Sequence, residues 1–163
     1  MAAASTPAIK VLTAAKIAHQ VHSYAHDPRA DSYGAEAVDA LGDALGVVAA
    51  QVFKTLVIEL STGALAVAVL PVPAKLSLKA AAAALGAPKA SMADKTKAER
   101  TTGYVLGGVS PLGQRKKLAT VVDASALEWD RVLCSAGKRG LEIELAPADL
   151  VRAAGAVTAP ITA

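Results

Sequence analysis

The chain has 163 residues, enough for one domain that buries roughly 70% of its unfolded surface on folding. Hydrophobic residues at 53% and charged residues at 19% exclude a disordered polymer, and a net charge of +3 is too modest for a protein that coats nucleic acid indiscriminately. Its few aromatic residues, Tyr24, Tyr33, Phe53, Tyr104 and Trp129, exclude a stacking platform for long single strands. The single cysteine, Cys134, excludes an internal disulfide, and the apolar stretch from Gly63 to Pro73 is too short to cross a bilayer, so no membrane contact is expected. Met-Ala-Ala-Ala-Ser-Thr-Pro has neither the basic end nor the apolar run of a signal peptide, which points to the cytoplasm.

Thr6 followed by Pro7 is a cap and a first-turn proline, and Ile9 and Leu12 continue at helical spacing. Gln20 to Tyr24 reads as a strand that ends near the turn signal Asp27-Pro28, with a polar loop to about Tyr33. Ala35, Val38, Leu41 and Leu45 predict an amphipathic helix stopped by Gly46. Val52 to Leu60 and Ala64 to Val72 form a hairpin around Ser61-Thr62-Gly63. Ser77 caps a helix from Leu78 to Leu85, and Asp94 caps another from Lys95 to about Thr101 that ends at Gly103. Tyr104 to Leu106, Ala119 to Asp123, Val132 to Ser135 and Leu141 to Leu145 read as short strands, and Pro147 opens a last helix through Ala154. Residues 155–163 are expected to fray. The pattern predicts a single α+β domain over residues 1–163, with no repeat and no linker.

Strand alternation places Lys54 on the same face as Val52, Leu56 and Ile58. Either its stem packs there while the ammonium reaches solvent, or the ammonium faces a cleft and holds a phosphate or carbonyl oxygen. Gly107-Gly108-Val109-Ser110-Pro111 is either a simple turn or a loop whose amides meet a developing oxyanion. Ser135 to Gly140 is a basic turn able to wrap a phosphate, but it is not a nucleotide-binding P-loop, because Arg139 stands where a magnesium-binding serine or threonine is needed. His19, His22 and His26 would gather on one face of a helix, yet the segment reads as strand and turn, so polar, hydrogen-bonded histidines are expected rather than a metal site. Ser110 and Ser135 are candidate nucleophiles with no histidine and carboxylate that can be placed beside them, and Cys134 is expected to be buried and inert. Arg115-Lys116-Lys117, with Lys95, Lys97 and Arg100, forms either a solvated surface or a docking surface for nucleic-acid phosphates.

Five segments together resemble the YbaK/EbsC family of prolyl-tRNA editing domains from Thr6 to about Ala154: Thr6-Pro-Ala, His22-Ser-Tyr-Ala-His-Asp, Val52-Phe-Lys-Thr-Leu, Thr102-Gly-Tyr-Val-Leu-Gly-Gly-Val-Ser-Pro-Leu-Gly and Gly137-Lys-Arg-Gly-Leu-Glu-Ile-Glu-Leu. The length is similar to that of the freestanding Cys-tRNA(Pro) deacylase branch. This resemblance implies a compact fold with a curled mixed sheet flanked by helices, no metal and no cofactor. It also implies the tRNA(Pro) acceptor end as substrate partner, with prolyl-tRNA synthetase as a candidate docking partner. It makes Lys54 the functional lysine, Gly107 to Pro111 the substrate loop, with Gly107 and Gly108 as backbone donors, and Tyr24, Tyr104 and Ser135 the pocket wall. Tyr33 and Glu142 stand at binding positions where phenylalanine and aspartate are familiar, and Ala136 replaces a glycine. The implied reaction is ester hydrolysis in which the substrate cysteine's own thiol attacks its carbonyl. Alanine as the substrate amino acid, or a noncatalytic tRNA-binding module, are the competing expectations.

Overall fold

The computed structural model describes residues 5–25 and 33–163, with side chains omitted at Tyr33 and Gly34. The expected turn at Asp27-Pro28 and His26 lie outside those residues. Helix α1, Pro7–Ala14, starts where the sequence predicts, with the Thr6 hydroxyl accepting from the Ile9 amide at 3.2 Å. The same hydroxyl donates to the Ala136 carbonyl, so the cap also ties the helix to a strand 130 residues away. Strand β1, Gln20–Ser23, follows, and then helix α2, Tyr33–Leu45.

Strands β2, Phe53–Leu60, and β3, Leu65–Pro71, form the expected hairpin, closed by Gly63 at φ 92°. Helix α3, Leu78–Ala84, and helix α4, Lys95–Thr102, are capped by Ser77 and Asp94 as their sequences predict, and Gly103 ends α4 in the left-handed region. Strand β4, Ala90–Met92, lies between them. Strands β5, Ala119–Asp123, β6, Val132–Lys138, and β7, Leu141–Leu145, precede helix α5, Pro147–Ala154, and strand β8, Val157–Ala159.

The strands form a mixed five-stranded sheet, β4-β2-β3-β5-β8, and a three-stranded antiparallel sheet, β1-β7-β6. A parallel bridge between Val52 and Leu133 joins them at one corner. Strand β3 is buried on both faces, which explains why Leu65 to Leu70 carries no polar residue. Val67 and Val69 face the main core with Phe53, Val57, Ile143 and Leu12, while Ala66, Ala68 and Leu70 face a second core under α3. A third, smaller cluster packs Ala37 and Leu41 of α2 on Val52 and Leu133.

Two expectations are corrected. Tyr104 to Leu106 is a turn rather than a strand, because the Gly108 amide closes it onto the Val105 carbonyl at 2.8 Å and no strand among the described residues pairs with it. Residues 155–163 do not fray as a tail: β8 pairs in parallel with β5, and Ile161 is fully buried in the second core. The buried Asp123 carboxylate accepts from the Ile161 amide at 2.9 Å, a long-range partner that local sequence does not disclose.

The segment after the glycine loop is seated against α1 at Gly113, whose φ is 69° and whose added Cβ would lie 2.5 Å from the Pro7 carbonyl carbon. Gly113→Ala should therefore cost at least about 2 kcal/mol of unfolding free energy, from left-handed strain plus a backbone clash. Urea denaturation that leaves the midpoint unchanged would refute this packing.

Candidate active site

Lys54 lies on the face of β2 that carries Val52 before it and Leu56 and Ile58 after it. Val52 packs under α2, whereas Leu56 and Ile58 pack under α3. Lys54 thus sits between the patches claimed by two helices, where a charged side chain finds an opening. Its Nζ donates to the Ala74 carbonyl at 2.6 Å, and burial holds its ammonium below the usual lysine range. No carboxylate pairs with it among the described residues. The stem is partly buried, and the head is held by a neutral acceptor with donor capacity to spare.

The Val52–Leu133 bridge brings β2 alongside β6, and Ser135 follows two residues later on the same face as Leu133. Directly across β7 from Ser135 stands Glu142, and across β1 from Glu142 stands His22, so these three side chains share a face. Tyr24 continues that edge, its amide donating to the Gly140 carbonyl at 2.9 Å. Burial first, and then the Glu142 carboxylate, push the Tyr24 phenol up to about 12. Glu142 is only 7% exposed, and burial raises its carboxyl to about 8, with no cation or donor to offset it among the described residues. Tyr33 begins α2, and its side chain lies outside the described residues.

The glycine loop is built against the β6–β7 turn. A register shift between Ser135 and Lys138 makes a bulge, with Gly137 at φ 103° and its amide on the Ser135 hydroxyl at 3.1 Å. A Cβ on Gly137 would lie 2.6 Å from the Tyr104 ring, and one on Gly108 would lie 3.0 Å from the Arg139 nitrogen. Gly107 is needed for a different reason, its φ of 90°. The Tyr104 hydroxyl donates to the Leu112 carbonyl at 2.6 Å, and Glu99 and Arg139 grip Leu106 by its amide and carbonyl.

This packing revises several residue roles. Tyr104 is buried and struts the loop from inside instead of walling the pocket. The Gly108 amide is committed to the turn, so it is not a free oxyanion donor, whereas those of Gly107 and Val109 have no hydrogen-bond partner among the described residues. The Val109 side chain points into the main core, and Ser110 and Pro111 are buried too. The Ser110 hydroxyl is fully buried and accepts from the Leu112 amide at 3.2 Å. Lys54, Ser135 and the Gly107 backbone are partly exposed, whereas Glu142 is buried.

The other candidates have structural partners. His22 Nε2 contacts Glu144 at 2.9 Å, and His19 contacts the Ile17 carbonyl at 2.7 Å. Although burial pushes Glu144 the other way, hydrogen bonds from Arg131 and His22 hold its carboxyl below the usual range. Cys134 is fully buried, and burial pushes its thiol well above the usual value. No serine joins the His22–Glu144 pair among the described residues. The sequence reading missed the Ala74 carbonyl, which is 20 residues from Lys54 and carries no side-chain signal. It also missed the Thr55 hydroxyl, the one buried side-chain polar atom without a partner among the described residues.

A mixed α/β fold of two sheets, with a carbonyl-held lysine at the start of a strand and a glycine-to-proline loop, defines a class that comparison makes definite. The profile of the aminoacyl-tRNA editing domain matches residues 33–153, and the chain belongs to that family. It is 34% identical, over 96% of its length and 93% of the relative's, to an Enterococcus faecalis protein named as a candidate Cys-tRNA(Pro)/Cys-tRNA(Cys) deacylase, EbsC. Among solved structures, one described as the hypothetical protein APE2540 superposes with TM-score 0.82 at 25% identity, covering 97% of this chain and all of that one. Another, described as a candidate trans-editing enzyme for prolyl-tRNA synthetase, has TM-score 0.80 at 23% identity over 99% of both chains and shows the same fold. No helix among the described residues is long and apolar enough to cross a membrane.

Because the Glu142 carboxyl is raised from 4.5 to about 8, the folded state binds its proton more tightly than the unfolded chain does. Its contribution is fully present below about pH 4.5 and is lost as pH rises toward 8. Glu142→Gln should gain stability relative to the parent across that window, read by denaturant midpoints at several pH values. Parallel curves for the two proteins would contradict the buried, unpaired carboxyl.

Proposed function

We propose that this protein is an aminoacyl-tRNA deacylase that clears cysteine from tRNA(Pro). Membership of the editing family supports the reaction class, and the substrate named for the Enterococcus faecalis relative supports the amino acid and the tRNA. The observation that carries the reading is that the chain holds both a carboxylate-free Lys54 ammonium and a closely packed glycine loop, while no serine or cysteine among the described residues is equipped as a nucleophile.

In this reading the acylated 3' end lies between β2 and the loop. Lys54 contacts a phosphate or ribose oxygen and keeps the ester within reach of the loop. The substrate's thiol sulfur bonds to its own carbonyl carbon, and the Gly107 amide donates to the oxygen that becomes negative. The bond from carbon to the ribose oxygen then breaks, and the proton lost by the thiol ends on that oxygen. Water opens the resulting small cyclic thioester to free cysteine. The substrate brings the nucleophile, and the protein supplies position and charge.

Exposed Arg100, Arg115, Lys116 and Lys117 adjoin the loop, and the Arg115 and Lys116 amides bond back to α4 at 2.8 and 3.2 Å. They offer a surface for acceptor-stem phosphates, with the tRNA acceptor end as the partner and prolyl-tRNA synthetase as a candidate protein partner. The cytoplasm is the expected location.

Lys54→Ala should lower the deacylation kcat/KM at least about 100-fold, the scale of losing a charged transition-state contact. The assay should include Cys-, Ala- and Pro-tRNA(Pro) and Cys-tRNA(Cys). Rapid clearance of alanine but not cysteine would replace the substrate, and binding without turnover on all four would leave a tRNA-binding module. Raising salt should weaken tRNA binding, and Lys116→Ala should lower the slope of log K against log salt by about 1. A flat salt response would remove the phosphate surface.

A further inference from the structure

The carbonyl that holds Lys54 belongs to a connection, Val72 to Ser77, with no regular structure of its own. Its first half is shaped locally: Val72 donates to the Val52 carbonyl at 2.8 Å and Ala74 donates to the Pro71 carbonyl at 3.0 Å. The half that follows Ala74 is held from the other end of the chain. The Ser77 amide donates to the Ile161 carbonyl at 2.7 Å, the Ala163 amide donates to the Lys75 carbonyl at 2.7 Å, and Leu76 bridges Thr162.

That C-terminal segment is firmly anchored. Strand β8 extends the five-stranded sheet, and the Ile161 side chain is fully buried in the cluster that contains Leu70, the residue opposite Lys54 on β3. The Ile161 amide is fixed by Asp123, whose other carboxylate oxygen is engaged by the Ser125 hydroxyl and amide. Hydrogen bonds therefore run from the end of β5 through Asp123 and Ile161 to Ser77 and from Ala163 to Lys75, and the covalent chain links Lys75 directly to the Ala74 carbonyl that accepts from the Lys54 ammonium.

We propose that residues 157–163 are a positioning element for Lys54, setting the ammonium by fixing the Ala74 carbonyl that accepts from it. This inference rests on the reading of Lys54 given above. A neutral carbonyl orients the ammonium without pairing its charge, so the remaining two donors stay available to substrate oxygen. Water in place of that carbonyl would satisfy the ammonium but would not aim it, and loss of aim lowers kcat more than binding. Ile161 and the Ala163 amide act through Ala74 and touch no substrate, so they are positioning groups rather than catalytic ones.

The test uses full-length Ile161→Ala, with Ile161→Val as the conservative control and Ala163→Pro as a surface variant that deletes only the donor to Lys75. Ile161→Ala should speed exchange of the Ser77 amide at least about tenfold and lower kcat for Cys-tRNA(Pro) about tenfold, equivalent to about 1.4 kcal/mol. The Kd for uncharged tRNA(Pro) should stay within about twofold, because the cations near the loop are untouched. Ile161→Val should restore both readouts, and Ala163→Pro should lower kcat in the same direction with a small change in Tm. In a Lys54→Ala background, Ile161→Ala should cause little further loss, since both act through one ammonium. An opened Ser77 amide with unchanged kcat, or a full additional tenfold loss without Lys54, would overturn the proposal. If Lys54→Ala alone deacylates like the parent, the catalytic reading fails instead, and the amide exchange still reports whether the segment holds the Ala74 peptide.

Discussion

An ammonium near the start of a strand cannot be covered by apolar side chains without losing its hydration, and the apolar residues of β2 pack into cores on both faces of the strand. The solution is a gap. Helix α2 closes over the start of the strand and α3 over its later part, leaving Lys54 at the boundary with one carbonyl to satisfy it. Much of the architecture follows from keeping that boundary in place: the hairpin partner β3 is buried throughout, and the second core under α3 reaches to within one residue pair of the lysine.

The glycine loop is fixed by close approach rather than by its own hydrogen bonds alone. Gly108 and Gly137 remove the atoms that would hold the loop away from the β6–β7 turn, and Tyr104 fills the space so created while its hydroxyl spans the loop interior. Glu99 and Arg139, from two other elements, then hold Leu106 by both polar groups of its backbone. Such multiple restraint holds the loop while the Gly107 amide has no hydrogen-bond partner among the described residues.

Burial also sets the electrostatic character of the remaining wall. Glu142 is raised toward neutrality while Glu144, two residues along the same strand, is held ionised by Arg131 and His22. The two carboxyls differ because one has donors within reach and the other has only a buried strand pairing with Ser135 and His22. In the proposed reading, a carboxyl raised by burial and a lowered ammonium suit chemistry in which the attacking group arrives on the substrate.

Helices, caps and the central hairpin were legible from local pattern because their signals lie within a few residues: Thr6-Pro7, Ser77, Asp94, and the turn at Gly63. The sequence by itself also singled out Lys54 and the glycine loop, since a lysine among apolar strand residues and adjacent glycines are conspicuous wherever the chain goes. What it left open was which atoms those residues would meet. The commitment of the Gly108 amide, the inward turn of Ser110, the Ala74 carbonyl under Lys54 and the anchoring of Ile161 by Asp123 were decided by tertiary structure. Each joins groups through backbone atoms or across a turn or a long stretch of chain, and backbone donors and acceptors carry no residue-specific mark in the sequence.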